Sequence, residues 1–384
     1  MVERASRPLG LYVHWPFCLS KCPYCDFNSH VRARIDAEAY AAALVRELQS
    51  VAARLDHAPQ LTSIFFGGGT PSLMPGETVQ AVIEAARQRF GFAPGIEITL
   101  EANPTSVEAD RFRAYRNAGV NRLSLGVQAL EDADLRALGR MHSVDEAMRA
   151  VDLAQSVFDR VSFDLIYARP AQSLEAWDAE LARALAVDCS HYALYQLTFE
   201  EGTPFHAARA RGLMKEIGSE TATAMYELTQ ERMQAAGRPA YEISNHARPG
   251  EESRHNMLYW RYGEYLGIGP GAHGRISMNG AKVATETLRA PEEWLERVNV
   301  AGHGVKVWEP VAPAECFTEA VLMGLRLTEG IDLQALEADT GHSIQPDRIR
   351  TLCDQGLLVA GEGRLAATPS GRLVLNSVLR VLLA

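Results

Sequence analysis

No stretch of this 384-residue chain is apolar enough, for long enough, to span a bilayer. The opening residues, Met-Val-Glu-Arg-Ala-Ser-Arg-Pro, have no apolar core, so no signal peptide is expected. No segment is of low complexity. Positive charge is in deficit: 38 Lys and Arg against 48 Asp and Glu leave a net charge of −10, which argues against broad nucleic-acid binding. The deficit holds locally too. From Val311 onward there are six Arg and no Lys against nine acidic residues, so this end reads as a packing module and not a DNA reader. The glycine run Gly67-Gly68-Gly69-Thr70-Pro71 is not followed by Gly-Lys-Ser/Thr, which excludes a Walker-type phosphate loop. Cysteine is scarce. Cys189, Cys316 and Cys353 stand singly among apolar neighbours and read as buried thiols in a reducing compartment. The rest is ordinary for a globular protein: 47% apolar and 22% charged, with length for one large domain and a smaller one.

The other three cysteines are not scattered. Cys18, Cys22 and Cys25 follow a short apolar strand with the spacing C-x3-C-x2-C. Three thiolates on one loop can hold three corners of a cubane iron–sulfur cluster; a fourth would close it, and three leave one iron open. A zinc site needs a fourth ligand, which His14 or His30 could supply, though C-x2-C is the commoner zinc spacing. A disulfide is disfavoured by the odd number and by the absence of any sign of secretion.

From residue 10 to about 200, short apolar strands alternate with amphipathic helices. Strands are expected at Leu11–His14, Ser63–Phe66, Ile96–Glu101, Arg122–Gly126, Val161–Leu165 and His191–Thr198. Helices are expected at Ala37–Leu55, Glu77–Phe90, Val107–Ala118, Val144–Val157 and Leu174–Ala186. That order argues an α/β fold with a parallel sheet. Polar residues gather at the same end of each strand: the cysteine loop, the glycine run, Glu101, Gln128 and Asp164. Contributions from many strand ends favour a barrel or partial barrel over an open sheet with one switch point. Further on, Gly218–Ala236 is a helical pattern and Tyr241–Ser244 a candidate last strand. The expected division is residues 1–245, a Gly-, His- and aromatic-rich connecting region 246–312, and a C-terminal module 313–384. The pattern helix, hairpin, helix in that module is winged-helix-like.

Single residues carry less weight than their grouping. Glycines at 67–69 are the ordinary means of a tight turn, and also of close backbone approach to a ligand. Glu101 and Asp164 end apolar strands, where an unpaired carboxylate is costly to bury; ribose hydroxyls or an ammonium group would satisfy them. Arg140 suits a carboxylate in a fork geometry. His255-Asn256-x-x-Tyr259-Trp260 reads first as a satisfied buried turn, and second as an axial imidazole beside flat apolar surface, as haem requires.

Together, Cys18-x3-Cys22-Pro-Tyr24-Cys25-Asp26-Phe27, Phe66-Gly-Gly-Gly-Thr-Pro71, Leu123-Ser-Leu-Gly-Val-Gln128, Gly139-Arg-x-His142, Phe163-Asp-Leu-Ile-Tyr167 and His255-Asn-x-x-Tyr-Trp260 resemble the coproporphyrinogen III dehydrogenase-like radical S-adenosylmethionine (SAM) proteins. The resemblance covers nearly the whole chain. The dehydrogenases of that family have a further cysteine two residues after the last of the triplet and lack His-Asn-x-x-Tyr-Trp; here Phe27 stands at that position. The chain is more similar to the HemW-type, haem-chaperone branch. The resemblance implies a partial (β/α)6-type radical SAM barrel with a C-terminal helical, winged-helix-like module. It implies a 4Fe–4S cluster on Cys18, Cys22 and Cys25, and SAM at Tyr12, Tyr24, Gly68, Gly69, Thr70, Glu101, Gln128, Arg140 and Asp164. It also implies haem, with His255 as the candidate ligand, and delivery of haem to client haemoproteins such as respiratory enzymes. Cytoplasmic residence with transient contact at the inner membrane face follows from such clients, and a homodimer is left open. The alternative is an oxygen-independent coproporphyrinogen III dehydrogenase. One departure, Arg169-Pro-Ala-Gln-Ser where relatives tend to have Pro-Gly-Gln-Thr, is a loop change away from the cysteines.

Overall fold

The computed structural model describes residues 8–57, 59–106 and 109–384. Its core is one 11-stranded sheet. In chain order the strands are β1 (Leu9–Trp15), β2 (Leu61–Gly68), β3 (Phe92–Ala102), β4 (Arg122–Gln128), β5 (Arg160–Tyr167), β6 (His191–Gln196), β7 (Asn245–Ala247), β8 (Glu264–Ile268), β9 (His273–Met278), β10 (Ala281–Thr287) and β11 (Val305–Pro310). Across the sheet they run β11-β10-β9-β8-β1-β2-β3-β4-β5-β6-β7. From β8 to β6 in that order every pair is parallel. The outer pairs are antiparallel: β7 on one edge, β9 to β11 on the other. Helices Ala37–Ala52, Gly76–Phe90, Ala109–Ala118, Val144–Val157 and Leu174–Leu185 follow β1 to β5 in turn. This is the expected α/β partial barrel. Val107 and Glu108, the expected start of the third helix, lie outside the described residues.

Strand periodicity explains how the sheet faces two ways. On β4, Leu123, Leu125 and Val127 are fully buried, and on β5 Val161, Phe163 and Leu165 are at most 4% exposed. These alternate residues join the apolar cluster that packs the helices. The opposite parity is polar: Arg122, Ser124 and Gln128 on β4, Ser162 and Asp164 on β5, His191 on β6. It lines the concave side. Register then sets these residues in rows. Glu101, Ser124, Ser162 and His191 are successive cross-strand partners, and one step on lie Gly126, Asp164 and Ala193.

The helix Arg254–Trp260 plugs the N-terminal end of the barrel, and the contacts that seat it there are to the starts of strands. Glu97 of β3 accepts from the backbone N–H of Arg254 (3.2 Å) and His255 (3.1 Å) and takes an ion pair from Arg160 of β5 at 2.7 Å. A carboxylate on a helix N-terminus satisfies donors that the helix itself cannot. Gly10 of β1 makes room for the plug: a Cβ there would lie 2.5 Å from Leu258 Cδ2.

Two expectations change. Tyr241–Ser244 is not a strand; the last strand of the first half is Asn245–Ala247, antiparallel to β6. Tyr241 is instead turned inward, onto His191 at 2.9 Å. The stretch 246–312, expected as a connecting region, carries β8 to β11 of the main sheet, with β8 directly beside β1. The C-terminal module has its own core of Val321, Leu325, Ile331, Leu336, Leu352, Leu358, Leu365 and Leu379. Helix Pro346–Asp354, hairpin Leu358–Gly361 with Arg364–Ala367, and helix Leu375–Leu383 follow one another, with Ile331–Asp332 as a third strand. Among the described residues no helix is long and apolar enough to cross a membrane.

Candidate functional site

The C-terminal ends of β1 to β6 surround a cavity of about 510 Å³. Cys18, Cys22 and Cys25 form one side of it, all half-buried and all free thiols. The loop that carries them is held on three sides. Phe17–Cys18 pairs with His30–Val31, and Cys25 N–H closes a turn on Cys22 O at 3.1 Å. Thr70 and Gly69 N–H donate to Phe17 O and Trp15 O at 2.8 and 2.7 Å. Gly69 is required by closeness: a Cβ would stand 2.8 Å from Phe17 O and 3.0 Å from Cys18 Sγ. Gly68 adopts φ +116°, so the glycine run supplies both a turn and a close approach. Asn28 is the third tether, donating from Nδ2 to Pro270 O (2.8 Å) and Arg289 O (3.0 Å).

Polar groups surround the thiols. Thr70 Oγ1 donates to Cys18 Sγ at 3.4 Å, and Arg140 Nη1 to Cys22 Sγ at 3.6 Å. The buried Ser29 hydroxyl lies beside Cys18. Burial pushes the Cys18 and Cys25 thiols up, so as thiolates they call for a cationic partner. Among the described residues no three His, Cys, Asp or Glu side chains converge to share a single metal ion. The thiols border one cavity instead, which suits a polynuclear cluster whose metal corners lie apart.

Deeper in, the lining includes Glu101, Gln128, Arg140 and Asp164. Glu101 accepts from Gly68 N–H at 3.2 Å, and burial, with Asp164 nearby, raises its pKa to about 8. Burial also raises Asp164, against hydrogen bonds from Ser162 (2.6 Å) and Ser124 (2.8 Å). Two atoms are left over. Gln128 Oε1 and Arg140 Nε are buried with no hydrogen-bond partner. Gln128 sits at φ +74° on a bulge that breaks the β4–β5 register. Left-handed backbone at a non-glycine residue costs on the order of 1 kcal/mol, and a bulge at a strand end re-aims the side chain. An acceptor, a guanidinium N–H and two carboxylates facing one cavity fit a ligand with hydroxyls, a carboxylate and a cationic amine.

The structure thus brings together Cys18, Cys22, Cys25, Tyr24, Gly68, Gly69, Thr70, Glu101, Gln128, Arg140 and Asp164. Tyr12 does not line the cavity. Its ring stacks on Phe65, which does, and its hydroxyl meets His14 Nδ1 at 2.9 Å. His14 in turn reaches Asn28 O at 2.8 Å, so Tyr12 stands behind the cysteine loop. His255 lies farther off, in the plug. It is 1% exposed, with Nδ1 on Ser63 Oγ and Nε2 on Tyr259 Oη, each at 2.8 Å. Burial lowers its pKa to about 3. Both ring nitrogens are taken up in hydrogen bonds within the plug, so His255 does not open onto the cavity. Sequence reasoning missed Asn28, Ser29, Ser124, Ser162 and His191. The polar parity of β4 to β6 is the signal that could have found the last three.

Comparison with known proteins agrees with this geometry. The Radical SAM superfamily profile matches residues 12–183, and the HemN C-terminal domain matches 311–374. "Heme chaperone HemW" of Escherichia coli is 37% identical over 98% of this chain and 98% of its own length. "Radical S-adenosyl methionine domain-containing protein 1, mitochondrial" of Bos taurus is 39% identical over 99% of this chain and 88% of its own. The solved coproporphyrinogen III oxidase HemN of Escherichia coli superposes with a TM-score of 0.81 over 98% of this chain and 90% of that one. Its 22% identity speaks for a shared fold alone. The chain belongs to the radical SAM superfamily and, within it, to the family that holds HemW and the mitochondrial domain-containing protein 1.

Proposed function

We propose that this protein is a haem chaperone of the HemW type, which holds a 4Fe–4S cluster, SAM and haem and passes haem to client haemoproteins such as respiratory enzymes. The observation that carries this reading is full-length likeness to HemW joined to Phe27 at the position where the dehydrogenases have a fourth cysteine. Cys18, Cys22 and Cys25 are the cluster ligands, with Thr70 and Arg140 donating to two of the sulfurs. Such a cluster supplies, when bound, an electron and one iron that no cysteine occupies. Asp164, and Glu101 once it gives up its proton beside the incoming cation, offer negative charge to the amine and acceptors to the ribose of SAM, Arg140 its guanidinium to the carboxylate, and Gln128 its free acceptor. Tyr24, packed on Phe205 at 6.2 Å, offers a face for the adenine.

Haem, in this reading, sits at the cavity mouth and not on His255. Leu19, Phe27, Met141 and Tyr195 are large apolar side chains left 45–66% exposed, and all four line the cavity or adjoin residues that do. A ring of exposed apolar groups is what a flat macrocycle covers, and Lys21 on the same rim is a cation for a propionate. The work is done in the cytoplasm, at the inner membrane face when the client is membrane-bound. The test is one anaerobically reconstituted sample given haem, an apo-haemoprotein and coproporphyrinogen III in turn. Haem uptake, Soret transfer to the apoprotein and unchanged porphyrinogen are expected. Conversion of the porphyrinogen would establish the dehydrogenase reading instead.

A further inference from the structure

A line of hydrogen bonds runs through the barrel from its plugged end to the cofactor cavity. Asn256, on the plug helix, and the backbone of Ser253 lie near the Tyr241 hydroxyl, and Asn256 also lines the cavity. Tyr241 Oη lies 2.9 Å from His191 Nε2, and His191 Nδ1 lies 2.8 Å from Ser162 Oγ. Ser162 Oγ lies 2.6 Å from Asp164 Oδ1, at the cavity. Ser162, His191 and Tyr241 are between 0% and 7% exposed, and Ser162 and His191 face the cavity.

The chemistry of the groups assigns each proton. The Ser162 hydroxyl donates to Asp164 Oδ1 at 2.6 Å. With its one proton spent there, Ser162 must accept from His191, which therefore carries its proton on Nδ1. The bare Nε2 accepts from the Tyr241 hydroxyl at 2.9 Å. Every donor points toward Asp164. Burial, with Arg122 and Arg160 nearby, keeps His191 neutral, so the direction does not reverse at ordinary pH.

We infer that His191 is a positioning residue for Asp164: as the Nδ1–H tautomer fixed by Tyr241, it orients through Ser162 the carboxylate that meets SAM. The inference rests on Asp164 contacting SAM, as proposed above.

Amide side chains separate this role from simple packing. The amide nitrogen of Asn can stand at the position of imidazole Nδ1, that of Gln nearer Nε2. In reconstituted protein, SAM affinity is read from titration of the reduced cluster's EPR signal, with iron content as control. His191→Phe should weaken SAM about tenfold, the scale of one hydrogen bond to a charged group, at unchanged iron. His191→Asn should stay within about threefold of wild type, and His191→Gln should behave like Phe. Equal affinity for wild type, Phe, Asn and Gln variants overturns the inference while leaving the SAM reading intact. A wild-type protein whose cluster signal ignores SAM removes both. If the Phe variant does not fold, Ser162→Ala carries the same expectation of weaker SAM with iron unchanged. A second readout needs no cofactor: 15N spectra of histidine-labelled protein should show His191 neutral with its proton on Nδ1. A proton on Nε2 would contradict the inference.

Discussion

Glu97 and Glu101 lie on the same strand, on the same inward face, four residues apart; Glu97 is buried, Glu101 is half-buried at the cavity, and their surroundings differ completely. Glu97 is surrounded by donors: Arg160, the backbone of Arg254 and His255, and the Ser253 hydroxyl. Burial pushes its pKa up, but Arg122, Arg160 and those N–H groups outweigh burial, and it ends below the ordinary value. Glu101 has Gly68 N–H and little else, with Asp164 for a neighbour, and ends at about 8. One end of the barrel is finished by its own side chains, and the other is left short of partners. A fold tolerates such a deficit where a ligand completes it. The unpartnered Gln128 Oε1 and Arg140 Nε fall at the same end as Glu101.

The comparison breaks most visibly at Glu97. Glu97→Gln removes the fully buried charge opposite Arg160, which keeps only the part-exposed Glu251, and sets an amide NH2 against the donors around it; it should cost about 3–5 kcal/mol in chemical denaturation. Glu101→Gln should cost little or nothing by the same measure. A similar loss at both sites would show that the two ends do not differ. Next in size is the pH response. Glu101 keeps its proton to about pH 8 when folded, against an ordinary value of 4.5. Between those values the unfolded chain has released a proton that the folded chain retains, so cofactor-free stability falls as pH rises through the window. The slope from this one group is at most about 1.4 kcal/mol per pH unit. Subtracting the Glu101→Gln profile from that of wild type isolates it, and a flat difference would mean that Glu101 ionises normally. His255→Ala, at the finished end, should cost about 2 kcal/mol of stability while haem affinity and Soret position stay as in wild type. A weakened haem complex in a fully folded variant would return the ligand role to His255. The smallest effect belongs to the rim. Phe27→Ser should leave cluster and SAM untouched and weaken haem by about 1–2 kcal/mol. Haem titration unchanged from wild type would move the haem site elsewhere.

Much of the cofactor end is legible in the amino-acid sequence alone, and little of the plugged end. The cysteine spacing and the strand–helix alternation are local patterns, written within a few residues of one another. Glu101, Gln128 and Asp164 are legible because each follows an apolar strand whose end the periodicity marks. The surroundings of His255 are illegible because its partners are remote: Ser63 is 192 positions away, and a sequence displays the imidazole without displaying who occupies its nitrogens. Tyr241 resembles a strand residue by composition, yet its hydroxyl is claimed by His191, 50 positions earlier. β8 is hidden by glycines and by distance, since it pairs with β1 across 255 positions, Leu9 opposite Glu264. Ser162 and His191 pass as ordinary strand residues because a polar parity inside an apolar run shows its purpose only when neighbouring strands are set in register.

The most direct measurement is SAM titration of reconstituted Glu101→Gln, followed through the EPR signal of the reduced cluster. Iron content should equal that of wild type and the thermal midpoint should be no lower, while SAM affinity falls on the order of a hundredfold, about 2–3 kcal/mol for a lost charged hydrogen bond. A variant that answers SAM as wild type does, with the same cluster, would contradict the claim that the deficit at this end of the barrel is where the cofactor binds.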